Sequence, residues 1–124
     1  EGLIEHSARV GTLFSDALWA LRAKHEIIGD VRGRGLAVGV DLVTDRKTRE
    51  PVAATTTAKI IYRGYELGAA FTYVGLKANV LEFMPPLTLT EDEVAEGVAI
   101  IDQAIADVAT GKVSDADVAS FMMW

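Results

Sequence analysis

Spacing of apolar residues predicts the longest helices of the chain. From Leu3 to Lys24 the apolar residues recur every three or four positions, which is the pattern of an amphipathic helix. A second long helix is predicted from Glu91 to about Ala109, because Thr90 and Glu93 have the spacing of a capping box ahead of a periodic segment. The side chains of this helix that we expect in the core are Val94, Val98, Ile101 and Ile105.

Two further helices are predicted on weaker patterns. The segment from Ala54 to Leu67 has helical periodicity and ends at Gly68, a typical helix terminator. Its apolar face is predicted to consist of Ile60, Ile61 and Tyr65. Near the end of the chain, Ser114 and Asp117 predict a capped short helix from Asp115 to Met122.

Alternating or short apolar segments predict the strands. Ile27 to Arg34 is interpreted as a short strand and tight bend, and Leu36 to Val43 as a strand whose apolar residues share one face. Ala69 to Val74 is predicted to be another short strand, followed by a turn. The charged segment from Thr44 to Pro51 is predicted to be a solvated loop. The residues on the shared face are Leu36, Val38, Val40 and Leu42.

A last strand is predicted from Val80 to Met84, and its one charged residue is Glu82. Pro85 and Pro86 cannot donate hydrogen bonds to a neighbouring strand, so the strand must leave the sheet there. A carboxylate inside an apolar strand has to face solvent, a charged partner or a cleft. Glu82 is therefore the main candidate for a functional residue.

The order α-β-β-α-β-β-α-α predicts an α+β fold. Two layers are expected, a small antiparallel or mixed sheet with helices on one face. A length of 124 residues fits one domain.

Composition narrows the possible partners. A net charge of −6 argues against nucleic acid and anionic membranes as partners. There is no cysteine and no membrane-length apolar segment, which fits a cytoplasmic protein. The apolar fraction of 50% is high, so we expect part of the apolar surface to be covered by a partner. The chain begins within a helical pattern and without methionine, which suggests a piece of something larger.

Several motifs favour structural roles. The glycines between residues 33 and 39 lead into a strand, whereas the phosphate loop of a dinucleotide site leads into a helix, so they are expected to form a bend. Arg32 and Arg34 could bind a carboxylate or phosphate, but pairing with local acids such as Asp30 or Asp41, or with a neighbouring domain, is favoured.

The two histidines do not predict a metal site. His6 and His25 lack the spacing of metal ligands, and cysteine is absent. No nucleophile–base pair is visible either, which leaves little support for a small enzyme acting alone.

Two motifs together resemble a known family. The segment NVLEFMPPLTLT at residues 79–90 follows GDVRGRGLAVGVDLV at residues 29–43, and this pair resembles the C-terminal small domain of class III aminotransferases, pyridoxal-phosphate enzymes of fold type I. Residues 24–36, 57–63, 73–75 and 79–82 are similar to the α-amino-ε-caprolactam, or amino-acid amide, racemases of that family.

The resemblance implies that residues 1–124 are the C-terminal small domain of a larger enzyme, which removes and returns the proton on a substrate's Cα in racemisation or transamination. The family's cofactor lysine and the aspartate that holds the pyridine nitrogen would lie upstream, in the large domain. None of the chain's five lysines matches the family's lysine motif, although Lys77 lies in the loop before the strand predicted from Val80 to Met84. No catalytic, cofactor-binding or metal-binding residue is therefore expected in this chain, which would be inactive alone.

The resemblance also gives Glu82 and Tyr73 a role in substrate binding. At the position of Glu82 the aminotransferases commonly have an arginine that binds the substrate carboxylate, whereas a glutamate repels a carboxylate and accepts hydrogen bonds. The expected substrate is then an amine or an amino-acid amide. An exposed strand charge, or a salt bridge to an arginine of the large domain, is the alternative for Glu82.

The expected partners are the large domain of the same enzyme and a second copy in a homodimer or higher oligomer. The alternative function is a free-standing, non-catalytic domain whose apolar face binds another protein.

Overall fold

A computed structural model describes residues 2–120 of the chain. The elements in chain order are α1 (Leu3–Lys24), β1 (Ile28–Arg34), β2 (Ala37–Asp45), β3 (Glu50–Pro51), α2 (Ala54–Leu67), β4 (Thr72–Val74), β5 (Val80–Phe83), α3 (Glu91–Ala109) and α4 (Asp115–Val118). The predicted bounds of α1, α2 and α3 are confirmed. Both predicted capping boxes are also present, at Thr90 and at Ser114.

The strands form an antiparallel sheet in the order β1-β2-β5-β4, and β3 pairs with the end of β2. A two-residue loop of Gly35 and Leu36 joins β1 to β2, and Gly35 has a φ of 56°, a left-handed conformation that suits glycine. The glycine-rich segment thus makes the predicted bend. The α+β fold is confirmed, and the sheet is antiparallel within residues 2–120.

The helices α1, α2 and α3 cover one face of the sheet. The alternation predicted for β2 holds, because the side chains at every second position are buried. The strand residues buried beneath the helices are Val31, Val38, Val40, Leu42, Leu81 and Phe83. The helix residues that meet them include Val10, Phe14, Leu18, Ile60, Val94, Ile101 and Ile105.

The prediction of a solvated loop from Thr44 to Pro51 is partly wrong. β2 continues to Asp45, and Glu50 and Pro51 form β3 against it. A two-residue strand is too short to produce an alternating pattern, and its pairing depends on the turn before it. That turn is held by Asp45, whose Oδ1 accepts hydrogen bonds from the backbone N–H groups of residues 47 and 48, at 2.7 and 3.2 Å.

The predicted face of α2 is wrong at Tyr65, whose exposure is 73%. Ile60 and Gly64 form the centre of the buried face, and Tyr65 lies about 100° around the helix from Gly64. Ile61 is half-buried beside that face. The buried position next to Ile60 therefore belongs to a glycine, which an apolar pattern does not reveal.

Other element bounds also differ from the prediction, since β1 begins at Ile28 rather than Ile27 and β2 at Ala37 rather than Leu36. β4 begins at Thr72 rather than Ala69, because the Ala69 N–H still bonds to the Gly64 carbonyl at the end of α2. β5 ends at Phe83 rather than at Met84, because Met84 precedes Pro85 and the proline restricts its backbone conformation. The last helix ends at Val118, and the predicted end at Met122 lies outside the described residues.

The hydroxyl of Thr57 is buried in α2 and has no hydrogen-bond partner in the part of the chain that the structure describes. A buried hydroxyl without a partner costs about 1–3 kcal/mol. Thr57→Val keeps the shape and removes this cost, so the free energy of unfolding in urea should rise by about 1 kcal/mol. Thr56→Val, on the same turn but half-buried, should change it by less than about 0.5 kcal/mol. A loss of stability in Thr57→Val would show that the hydroxyl has a partner.

A buried carboxylate, Asp107, joins α2 to α3. Its side chain is 2% exposed and accepts hydrogen bonds from Arg63 Nε at 2.7 Å and Gln103 Nε2 at 2.7 Å, while Lys112 Nζ lies 3.4 Å away. The hydrogen bond from Arg63 is the largest cause that lowers the pKa of Asp107, and that from Gln103 adds to it. The ionised form is therefore the one that the fold stabilises.

This lowered pKa predicts a pH dependence of stability. The contribution of Asp107 is fully present above its unfolded-state pKa of about 3.9 and is lost as the pH falls through its lower folded-state pKa. Asp107→Asn should be less stable than wild type at neutral pH, and the difference should shrink as the pH is lowered from 5 toward 2, measured by urea unfolding at each pH. Asp16→Asn, an exposed acid on α1, is the control. A difference that does not vary with pH would contradict the assignment.

Candidate functional site

β5 places Glu82 near the centre of the sheet. Its Cα lies opposite Gly39 of β2 and Thr72 of β4. The side chains of Leu81 and Phe83 are buried under the helices, so Glu82 lies on the other face of the sheet. Glu82 is half-buried, and no ion pair to it is found within residues 2–120. The two alternatives for Glu82, an exposed strand charge and a salt bridge to an arginine of the large domain, stay predictions.

A groove of about 610 Å³ opens where β5 ends, and Glu82 lines it. Pro85 and Pro86 turn the chain away from the sheet, which leaves the end of β5 uncovered. The aromatic wall of the groove is well packed, since the ring of Phe83 lies 5.6 Å from that of Phe14 and 5.0 Å from that of Phe71. The other apolar residues that line it are Met84, Leu89, Val94 and Ile101.

The charged residues of the groove are both acids. Glu82 and Glu93 line it, and no lysine or arginine of residues 2–120 does so. Glu93 is occupied in the capping box of α3, in which its Oε2 accepts a hydrogen bond from the Thr90 N–H at 3.4 Å. Strand alternation places the Glu82 side chain on the sheet face opposite Phe83, so Glu82 lines the groove where β5 ends and its carboxylate does not face the aromatic wall. An apolar molecule with an amine or amide N–H fits this arrangement, whereas a carboxylate beside Glu82 would be repelled.

The structure does not bring Tyr73 to this groove. Tyr73 lies opposite Leu81, whose side chain is fully buried on the helix side of the sheet. Tyr73 and Glu82 are therefore on opposite faces. Their proposed shared role in substrate binding stays a prediction that depends on the rest of the protein.

The lysines of the chain do not form a cofactor site. Lys24, Lys59 and Lys112 lie in ion pairs, of which Lys59 with Asp115 is representative at 2.7 Å. Lys47 and Lys77 are exposed in loops, and none of the five lines the groove. A lysine that bonds covalently to a cofactor has to be desolvated to be reactive. These residues thus do not fit the attachment of pyridoxal phosphate.

The other charged candidates mostly have local partners. Arg32 lies 2.6 Å from Asp41 and 3.4 Å from Asp30, which confirms its predicted pairing with local acids. The hydrogen bond to Asp41 is the largest cause that raises the pKa of Arg32. Arg34 is exposed.

Both histidines make tertiary contacts. His6 Nε2 lies 2.8 Å from the Leu89 carbonyl, and His25 Nε2 lies 2.6 Å from Asp102 Oδ1. These contacts tie α1 to the segment before α3 and to α3 itself. Across residues 2–120, no group of three or more histidine, aspartate or glutamate side chains could hold a metal ion. In the same residues, no helix has the length and hydropathy needed to cross a membrane.

Sequence patterns did not reveal the walls of the groove. Phe14, Phe71 and Phe83 come from three separate parts of the chain, and their meeting depends on strand order and helix packing. The charge in the apolar strand is the one local signal that points to this region; Glu82 lines the groove, and its role in substrate binding stays a prediction.

Comparison with protein families gives a match over most of the chain. The model of the family "Aminotransferase class-III" matches residues 1–105. The match includes α1, the sheet, the groove and most of α3.

Individual proteins agree with that match. The chain is 41% identical over 113 residues to the leucine/methionine racemase of Thermococcus litoralis, covering 91% of this chain and 25% of the racemase. It is 38% identical over 113 residues to the alanine/serine racemase of Pyrococcus horikoshii, covering 91% of this chain and 23% of that racemase. Its fold resembles that of part of a PLP-bound amine transaminase from an uncultivated Pseudomonas species, with a TM-score of 0.78 and 31% identity. The match covers 86% of this chain and 24% of the transaminase. The chain thus spans about a quarter of the length of these proteins.

Proposed function

The chain belongs to the class III aminotransferase family, and on that premise we propose that it is the C-terminal small domain of a longer pyridoxal-phosphate enzyme. The observation that carries this proposal is a family match over most of the chain that spans only a quarter of the relatives' length. The chain alone would then be inactive. The placement of its lysines supports this, because none is both buried and directed at the groove.

We propose racemisation at the Cα of an apolar amino compound as the reaction. Two similar proteins are named as racemases of leucine or methionine and of alanine or serine. Transamination is the second candidate, since a solved structure of similar fold is named as an amine transaminase. The cofactor and the groups that move the proton would belong to the rest of the enzyme.

In this proposal the chain supplies a wall of the substrate site. The aromatic groove would hold an apolar side chain and exclude water from it. Glu82 would accept a hydrogen bond from a substrate N–H and repel a carboxylate. We therefore propose that an amino-acid amide, or an amine, is preferred over the free amino acid.

Exposed apolar side chains support a covering partner. Ile4, Leu76 and Met84 are 84%, 105% and 72% exposed, and a carboxylate or lysine at such positions would be more typical of a free surface. We propose that the large domain of the same enzyme, and a second copy in a homodimer or higher oligomer, cover them. A cytoplasmic location is proposed with it, on the absence of cysteine.

The size of the protein in its source cells separates this proposal from a free-standing interaction domain. An antibody against this chain should detect a band several times larger than 13.3 kDa on a denaturing gel. A recombinant 124-residue chain, run beside it, gives the reference size. A single band at 13.3 kDa in the cells would exclude the enzyme proposal for the native protein and favour the interaction domain.

A further inference from the structure

Four arginines line a second cleft, of about 350 Å³: Arg32 of β1, which pairs with acids, and three others. Arg22 comes from α1, and Arg46 and Arg49 come from the turn between β2 and β3. The indole of Trp19 and the amide of Asn79 complete the rim. Polar lining and a volume of this size fit a small polar molecule.

Two of these arginines are held in place by backbone carbonyls. Arg46 donates from Nε to the Ile28 carbonyl at 3.0 Å, and from Nη2 to the carbonyls of His25, at 3.0 Å, and Arg22. Arg22 donates from Nε to the Gly29 carbonyl at 3.0 Å, and its guanidinium lies 5.4 Å from the ring centre of Trp19. These contacts leave Nη groups of both arginines able to donate to a ligand. A ligand would therefore not have to order long, mobile side chains.

The positive charge of the three arginines is not neutralised within residues 2–120. None of them forms an ion pair there, although the whole chain has a net charge of −6. The acids of the cleft are Asp30 and Asp41, and both lie against Arg32, at 3.4 and 2.6 Å. With four guanidinium groups against two carboxylates, the cleft keeps an excess of positive charge.

We propose that Arg22, Arg46 and Arg49 form a binding site for a small oxyanion, a phosphate or carboxylate group of a free metabolite. Guanidinium groups bind such oxygens with paired, charge-assisted hydrogen bonds. The site is separate from the groove at Glu82, which no lysine or arginine of residues 2–120 lines.

The test uses the full-length protein saturated with pyridoxal phosphate, so that the phosphate of the cofactor fills its own site. Inorganic phosphate and acetate are titrated separately by calorimetry at constant ionic strength, with chloride as the reference anion. We expect saturable binding of phosphate or of acetate, and the stronger of the two identifies the source of the oxyanion. Binding of neither anion above the chloride reference would overturn the proposal.

Matched variants locate the binding. Arg49→Asn removes one charge and keeps a residue that tolerates the φ of 59° at this position, and Arg22→Gln removes another. Each should weaken the affinity at least about tenfold. Arg34→Gln, which makes the same charge change outside the cleft, should leave it within about twofold. Equal effects of the cleft variants and Arg34→Gln, with all variants folded by circular dichroism, would overturn the assignment.

Discussion

Replacing Gly11 with alanine is expected to destabilise the chain by about 3 kcal/mol or more. Gly11 is buried where α1 crosses the loop between β1 and β2, and a Cβ there would lie 2.1 Å from the Gly35 carbonyl oxygen and 2.3 Å from its carbon. Both are backbone atoms of a tight two-residue loop, so no side chain can rotate away. The helix would have to move off the sheet, and the packing of Phe14 and Leu18 would be lost with it.

Gly97→Ala is the matched control for this prediction. Gly97 is also in a helix, α3, but a Cβ there meets no atom within 4 Å. Alanine favours a helix over glycine, so this variant should gain about 0.5–1 kcal/mol. Urea unfolding of the wild type, Gly11→Ala and Gly97→Ala measures the change in the free energy of unfolding for each variant. Equal effects of the two substitutions would show that α1 does not pack on the loop as described.

Glu82→Arg in the full-length enzyme should shift the preference between an amide and its amino acid toward the amino acid. An arginine donates paired hydrogen bonds to a carboxylate, whereas a glutamate repels it. The ratio of kcat/KM for L-leucinamide to that for L-leucine should fall by roughly 10- to 100-fold, the equivalent of one or two charge-assisted hydrogen bonds. Glu82→Gln removes only the repulsion, so its ratio should lie between those of Glu82→Arg and the wild type.

Glu96→Gln controls for the change in overall charge, because Glu96 is exposed on α3 and does not line the groove. It should leave the ratio unchanged. If neither Glu82 variant alters the ratio while both keep activity, Glu82 does not face the substrate. Its carboxylate would then be an ordinary strand charge or the partner of an arginine elsewhere in the enzyme.

The elements that sequence predicted well depend on interactions within the same segment. The capping boxes at Thr90 and Ser114 join residues three positions apart, so their spacing is visible in the sequence. The alternation in β2 is visible because one face is buried and the other is not. These local rules are enough to predict the α+β fold.

The features that sequence missed depend on contacts between distant segments. β3 exists because a turn returns two residues to β2, and the buried face of α2 is centred on Gly64, against which Phe71 packs. The arginine cleft joins residues of α1 to a turn more than 20 positions later, with no shared motif. For Tyr73, strand register decides the face, and register was not predictable from a three-residue strand.

The most direct test of the central claim is hydrogen exchange at the Cα of L-leucinamide in deuterated water, followed by proton NMR with pyridoxal phosphate present. The full-length protein should remove the Cα–H signal, and it should do so faster with L-leucinamide than with L-leucine. The 124-residue chain, under the same conditions, should exchange no faster than cofactor alone. Exchange catalysed by the 124-residue chain, or none by the full-length protein with either compound, would contradict the claim that this chain is one domain of such an enzyme.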